Sequence, residues 1–394
     1  MTSSVFEFGV RKARLLVSAN DPGAAFHICE VLKRGKERGV FEFCVVASAI
    51  TKEIFENAGF PAKQVNAPRS KQWPSKCGID NISKATDLID NFLPDAILVG
   101  LSGPDLGFDE GLIAAAGALP TYAVQDFWGD VNNGYGHLPG TYFVLDENAA
   151  KLTSMRAPDA RVIITGSARH AAWSDLQPET LRAEYRHALG LAKNEVCVTF
   201  YGQPLWKAKG YHTTLSKLSD ALSQSDETIN FCYRPHPKET VEERDRALVV
   251  IRRAGIRART DANQTLVASL CGADLALTCY SMCGLDLANL SRLSASPLGL
   301  IVYAMFDDEI RRLFQRESGL LNIPLVEQGL ASVIDTPNEI KRILRISLTR
   351  EEQKEKWKAA SSQVCHSNWA ASIIVDTIAH DISENLKRKS LRAQ

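Results

Sequence analysis

At 394 residues the chain is long enough for two domains with their own cores and long for one. Hydrophobic residues make up 45% and charged residues 23%, the balance of a soluble globular enzyme rather than of a disordered chain. Lys plus Arg number 46 and Asp plus Glu 46, so the formal net charge is zero, which argues against a chain-wide electrostatic grip on nucleic acid. In chain order, residues 14–19 read as a buried strand, followed by the turn Asn20-Asp21-Pro22-Gly23 and a helix from about Ala24 to Arg38. Further apolar, β-branched runs stand at 42–47, 96–100, 121–124, 142–145 and 161–166. Short runs alternating with longer amphipathic segments predict a parallel sheet covered on both faces, and a first domain over 1–165.

A second series begins at 195–202 and continues through 229–233, 275–278 and 298–303, which predicts a second domain of the same kind over 166–348. The fold class is therefore α/β, with two Rossmann-like, doubly wound domains. Thr349 followed by Arg350-Glu351-Glu352 forms a capping-box pattern that opens a C-terminal helix, with Trp357, Val364 and Trp369 available to pack against a domain. Residues 349–394 read as that helix and a basic tail, in which Lys387-Arg388-Lys389 is either a solvated end or a peripheral contact with a membrane or an acidic partner.

Nine cysteines without a CxxC pair fit reduced, buried thiols in a cytosolic protein better than a disulfide framework. Cys279 and Cys283 flank Ser281 without a second ligand pair, so no zinc site is expected. Met1 to Glu7 lack the order of a signal peptide, and no stretch approaches the roughly 20 apolar residues of a membrane span. These readings place the protein in the cytoplasm.

Two motifs carry the chemistry: Arg234-Pro235-His236-Pro237-Lys238-Glu239, and Thr278-Cys279-Tyr280-Ser281-Met282-Cys283-Gly284-Leu285-Asp286. Each directly follows an apolar run, hence lies at a strand C-terminus, where open α/β sheets bind their ligands. A cation, an imidazole, a hydroxyl and a helix-opening glycine on one rim suit a phosphate or diphosphate. Pro235 and Pro237 exclude His236 from a helix and hold it on an extended loop.

The order of the two halves, the segment from Gln125 to Pro139, and Val144 to Glu147 with Val162 to Ser167 resemble GT-B fold glycosyltransferases and the related UDP-N-acetylglucosamine 2-epimerases. The segment 234–238 is similar to the His-Pro motif of bacterial transferases that use nucleotide-activated sugars. The resemblance covers the layout of nearly the whole chain. It implies that the domains face each other across a cleft, the second binding a nucleotide-sugar donor and the first an acceptor, with Gly166 near the hinge. It implies no cofactor and no metal, the nucleotide sugar being a substrate.

On that basis His236 contacts a donor phosphate, or else satisfies a loop carbonyl. Arg234 and Lys238 add positive charge to the leaving group, or remain solvated cations. Ser281 donates to the ligand or caps the helix opened by Gly284, and Asp286 stands where relatives place an acid near the ribose. Gly202 lets backbone approach a phosphate or sugar, or simply turns. The epimerases carry a glycine pair followed by Gln and Glu, from which Gly284-Leu285-Asp286 departs.

In the first half, sugar transfer needs a carboxylate to take the acceptor proton, and Asp21 is the expected base, although Asn20-Asp21-Pro22-Gly23 is also a complete turn sequence. Asn20, Gly23, His27, Asp126 and His137 complete the acceptor-side set; His27 faces either the cleft or the helix surface. The acidic runs 105–110 and 307–309 could bind a metal only if folded toward the cleft, and otherwise read as solvated faces. The expected function is transfer of a sugar from a nucleotide-activated donor to a carbohydrate or lipid-linked acceptor, in surface polysaccharide or glycoconjugate synthesis. A sugar-nucleotide epimerase or hydrolase, and a catalytically silent nucleotide-sugar-binding protein, are the alternatives.

Overall fold

Each apolar run of the sequence becomes a strand of one of two parallel sheets in the computed structural model, which describes residues 11–392 apart from Pro104, Lys193, Asn194, Ala262, Asn263 and His366. The N-terminal stretch read for a signal sequence lies outside the described residues, as do Ala393 and Gln394.

The first sheet contains β1 (Ala13–Ala19), β2 (Phe41–Ala47), β3 (Ala62–Gln64), β4 (Ala96–Val99), β5 (Thr121–Val124), β6 (Thr141–Val144) and β7 (Arg161–Ile164), in the order β3-β2-β1-β4-β5-β6-β7. The second contains β8 (Val196–Tyr201), β9 (Ile229–Arg234), β10 (Ala258–Thr260), β11 (Leu275–Thr278), β12 (Leu300–Ala304) and β13 (Ser332–Ile334), in the order β10-β9-β8-β11-β12-β13. All strand pairings within both are parallel. Strand order therefore reverses between β1 and β4 in one sheet and between β8 and β11 in the other. In sheets of this kind the loops leaving those strands frame the ligand crevice.

Burial explains the strands. Leu15, Leu16, Val17, Ile97, Leu98 and Val99 are shielded completely, the pattern of a sheet covered on both faces. Removing each such side chain from water contributes about 1.5–3 kcal/mol. The first helix, α1 (Pro22–Arg38), starts inside the expected turn: Asp21 accepts from Gly23 N at 3.1 Å, Pro22 takes the first helical position, and Gly39 ends the helix at φ 67°.

The chain divides into two units, residues 1–174 with 365–394, and residues 175–364. The expected boundaries at 165 and 348 are thus displaced, and the expected C-terminal segment 349–394 is split. Its first helix, Arg350–Gln363, stays with the second unit, where Trp357 Nε1 donates to Ser294 O at 3.0 Å. Its second helix, Ala370–Arg392, returns to the first unit and buries Ile374, Val375, Ile378 and Ile382 in one core with Ala24, Ile28 and Leu32 of α1. Apolar spacing along this helix, rather than its basic end, decides where it goes. Trp369, expected to pack, is 68% exposed. Among the described residues no helix is long and apolar enough to cross a membrane.

Candidate functional site

In the second unit the loops after β8, β9 and β11 are tied to one another. Gln203, just past β8, accepts Tyr280 N at 2.9 Å and Thr278 Oγ1 at 3.2 Å, which fastens the β8 loop to the β11 loop. Glu239 fastens the β8 and β9 loops: it accepts Trp206 Nε1 at 2.6 Å, Tyr233 Oη at 2.7 Å and His236 N at 2.6 Å. Gly202 must be glycine here, because a Cβ at that position would lie 2.5 Å from Tyr233 Oη and 2.6 Å from Glu239 Oε2. Burial pushes the Glu239 carboxyl up, and its Tyr233, His236 and Trp206 donors pull it back.

His236 lies half-buried on the β9 loop, and its Nδ1 accepts Lys238 N at 3.1 Å. Lys238 itself is exposed. Arg234, by contrast, is occupied within the fold: it donates to Gln264 O at 2.9 Å and Asp261 O at 3.3 Å, and pairs with the buried Asp261 carboxylate at 3.5 Å.

The helix Cys283–Leu293 begins at the β11 loop, with the Ser281 hydroxyl accepting Cys283 N at 3.2 Å. Its opening glycine, Gly284, is pressed against Tyr303, whose hydroxyl donates to Ser281 O at 3.2 Å. Asp286 is 3% exposed in the first turn, where the positive helix end favours a carboxylate. The acidic run at 307–309 is not a free solvated face: Asp307 caps the next helix through Glu309 N at 2.9 Å, and Glu309 accepts Gly210 N at 2.8 Å.

In the first unit the turn after β1 is held from below. Asp109, at the start of the helix Phe108–Ala115, accepts Ser18 Oγ at 2.5 Å, Asn20 N at 2.9 Å and Asn20 Nδ2 at 3.3 Å. Its neighbour Glu110 accepts Gly107 N at 2.7 Å and Ser102 N at 2.8 Å. The run 105–110, expected to be solvated, thus places Asp109 at 0% and Glu110 at 3% exposure. The physical reason is the set of buried N–H and O–H donors at two loop ends, which need acceptors. Burial, and the Glu110 charge, push the Asp109 carboxyl up, against its hydrogen bonds and Arg69.

Asp21 pairs with Arg69 at 3.6 Å, while Arg69 also donates to Asn20 O at 3.1 Å. The Asp126 carboxylate packs on Gly23, so that any Cβ there would overlap it. Asp130 joins this group: burial, then the charges of Asp126, Glu110 and Asp21, push its carboxyl up to about 8, with Arg156 opposing. His27 is 4% exposed, its Nε2 lying 3.5 Å from Ser167 Oγ, and it lies on neither of the expected surfaces. Side-chain bulk on the buried face of α1 draws it into the core. His137 is exposed on the loop after β5. Gly166, read as near a hinge, lies inside the first unit at φ 75°, packed on Ser367.

The structure therefore brings together Asn20, Asp21, Gly23 and Asp126 in one unit, and Gly202, His236, Lys238, Ser281 and Gly284 on the rim loops of the other. Sequence reading missed Gln203, Asp109, Glu110 and Asp130, and passed over Glu239 although it ends the quoted motif. Among the described residues no group of three or more His, Cys, Asp and Glu side chains is placed to hold a metal ion.

No protein-family model and no curated protein matches the sequence. Solved structures match it in fold. A Staphylococcus aureus MnaA–UDP co-structure superposes with a TM-score of 0.69 at 13% identity, over 94% of this chain and 97% of that one. The UDP-GlcNAc 2-epimerase of Neisseria meningitidis bound to UDP-GlcNAc gives 0.67 at 14% identity, over 93% and 99%. A glycosyltransferase from Rickettsia africae gives 0.61 at 10% identity, over 95% and 100%. At such identities the likeness shows the fold alone, a two-domain α/β architecture of the GT-B type.

Proposed function

We propose that the chain is a glycosyltransferase that moves a sugar from a nucleotide-activated donor to a carbohydrate or lipid-linked acceptor, in surface polysaccharide or glycoconjugate synthesis. The observation that carries this reading is the cross-tied rim of the second unit at the β8/β11 reversal, with His236, Lys238 and a helix start on the tied loops. Neighbours of this fold bind UDP and UDP-GlcNAc, which supports a nucleotide sugar as the ligand. In this reading the diphosphate meets the amides that open the helix Cys283–Leu293, together with His236 and Lys238. These groups favour the negative charge that gathers on the departing nucleoside diphosphate as the bond to the anomeric carbon breaks.

The acceptor is assigned to the first unit. As its oxygen forms the new bond to the anomeric carbon, its proton passes to a carboxylate, for which Asp21 and Asp130 are the candidates. Burial pushes the Asp130 carboxyl up to about 8, so it can take the acceptor proton only after losing its own, that is, from its ionised fraction. No metal or organic cofactor enters the scheme, and the reaction is placed in the cytoplasm.

A second reading, a sugar-nucleotide epimerase, is supported equally by the likeness to the Neisseria meningitidis epimerase. The test is a panel of nucleotide sugars. A stabilising thermal shift with one donor, and turnover only when an acceptor is added, is the expected result. Turnover without acceptor would make the epimerase or hydrolase reading the correct one. Absence of any response across the panel would overturn both.

A further inference from the structure

We infer that Glu239 is the positioning residue of the β9 loop, and that it fixes His236 as a neutral Nε2–H donor rather than as a base or a cation. Its functional consequence rests on the reading of the second unit as the nucleotide-sugar site.

The geometry isolates Glu239 as the hub. One carboxylate oxygen receives Tyr233 Oη and Trp206 Nε1, and the other receives the backbone N–H of His236. Two of these donors belong to buried aromatic side chains anchored in the sheet and the β8 loop, so the backbone at 236 is pinned to the rigid part of the unit. Glu239 N also donates to His236 O at 2.9 Å, which closes the loop into a turn. That turn brings Lys238 N within 3.1 Å of His236 Nδ1. A ring nitrogen that accepts from an N–H carries no proton itself, so in the neutral imidazole the proton resides on Nε2. Protonating the ring would set two N–H groups against each other and sacrifice the contact with Lys238.

Only a carboxylate serves as this hub. An amide would turn its NH₂ group toward either Trp206 Nε1–H or the His236 N–H, and both of those can only donate. Gly202 is part of the same device, because any side chain there would occupy the space in which Glu239 and Tyr233 meet. The result is an imidazole that can donate to a phosphate oxygen with its orientation settled before the ligand arrives, the preorganisation that electrostatic catalysis requires.

The test combines a spectroscopic readout with binding. In chain labelled with ¹⁵N at histidine, long-range ¹H–¹⁵N spectra, assigned with His236→Ala, should show the Nε2–H form for His236 at pH 7.5. In Glu239→Gln the ring nitrogen shifts should move toward a tautomer average. Affinity for UDP, or for the nucleotide of the panel above that stabilises the chain most, should fall about tenfold. Added to His236→Ala, the same substitution should cost less than about twofold, because the two act through one contact. Tyr233→Phe removes one donor to the hub and should shift tautomer and affinity in the same direction by less, which keeps the test open if Glu239→Gln fails to fold. An Nδ1–H or protonated ring in the wild type, an unchanged ring in the variants, or an equal affinity loss in both backgrounds would overturn the inference. If no nucleotide binds the wild type, the proposed function falls, while the spectra still decide the positioning role.

Discussion

The two units use one backbone plan and opposite side-chain chemistry. Each places its rim loops where strand order reverses, after β1 and β4 in the first unit and after β8 and β11 in the second. The first unit gathers carboxylates there: Asp21, Asp109, Glu110, Asp126 and Asp130, with Arg69 and Arg156 as the opposing cations. The second gathers donors around a few carboxylates, as at Glu239 and at Asp261 Oδ2. Topology supplies a place for a ligand, and the residues on the loops decide which charge that ligand carries.

The largest expected effect separates the cations of the two rims. Arg234 pairs with a buried Asp261, so Arg234→Ala leaves a charge stranded in the core and should cost about 3–5 kcal/mol. Arg69 and Asp21 are 31% and 29% exposed in their side chains, and Arg69→Ala should cost no more than about 1 kcal/mol. Urea denaturation of both variants checks the contrast; equal losses would mean that Arg234 is not the structural cation described here.

Catalytic substitutions sharpen the comparison next. His236→Ala should lower kcat/KM for the donor about 100-fold, near 2.7 kcal/mol, with the loss shared between KM and kcat. Asp21→Asn should lower kcat and leave donor KM unchanged. Should Asp21→Asn retain full activity and Asp130→Asn lose it, the proton acceptor is Asp130. If neither loses activity, the base does not belong to this carboxylate group.

The pH dependence of stability should also differ between units. Asp130 titrates near 8 in the folded chain and near 3.9 when unfolded, so between those values the folded state holds a proton that the unfolded state has lost. Stability of the first unit should therefore be greatest in mild acid and fall as pH rises from about 4 to 8. The expected loss is about 2 kcal/mol, less than the full pKa difference implies, because Asp130 is only partly shielded from water. Asp109, also raised by burial, acts in the same sense. Hydrogen exchange in β1 and β4 measured across this range, with Asp130→Asn flattening the profile, is the check.

Legibility of the fold in the sequence followed burial. The central strands were readable because they are shielded on both faces and hence apolar throughout, as 15–17 and 97–99 show. The strands β3, β10 and β13 were not, since each is three residues long at a sheet edge and carries polar residues such as Lys63, Gln64 and Arg259. The return of the last helix to the first unit also escaped, because amphipathic spacing announces a buried face without naming its partner. At the site, proline and glycine spacing located the His236 and Gly284 loops. Buried carboxylates were unreadable for a plain reason: Asp109 and Glu110 look like any exposed acidic run until the donors of Asn20, Ser102 and Gly107 surround them. Glu239 offered one usable signal, its position two residues after the second proline of the motif.

The smallest expected effect concerns Lys238, whose two parts play different roles. Its backbone N–H orients the His236 ring, whereas its ammonium is exposed. Lys238→Ala keeps the N–H, so the imidazole should retain its tautomer and the fold its stability. What is lost is one positive charge near the proposed anion site, about 0.5 kcal/mol or roughly a twofold weakening of nucleotide binding, and most of that should vanish in high salt. Lys238→Pro removes the N–H as well, and should add a loss that salt does not screen. The two substitutions together separate orientation from charge at one residue; equal salt dependence of both would mean that the backbone contact contributes nothing to binding.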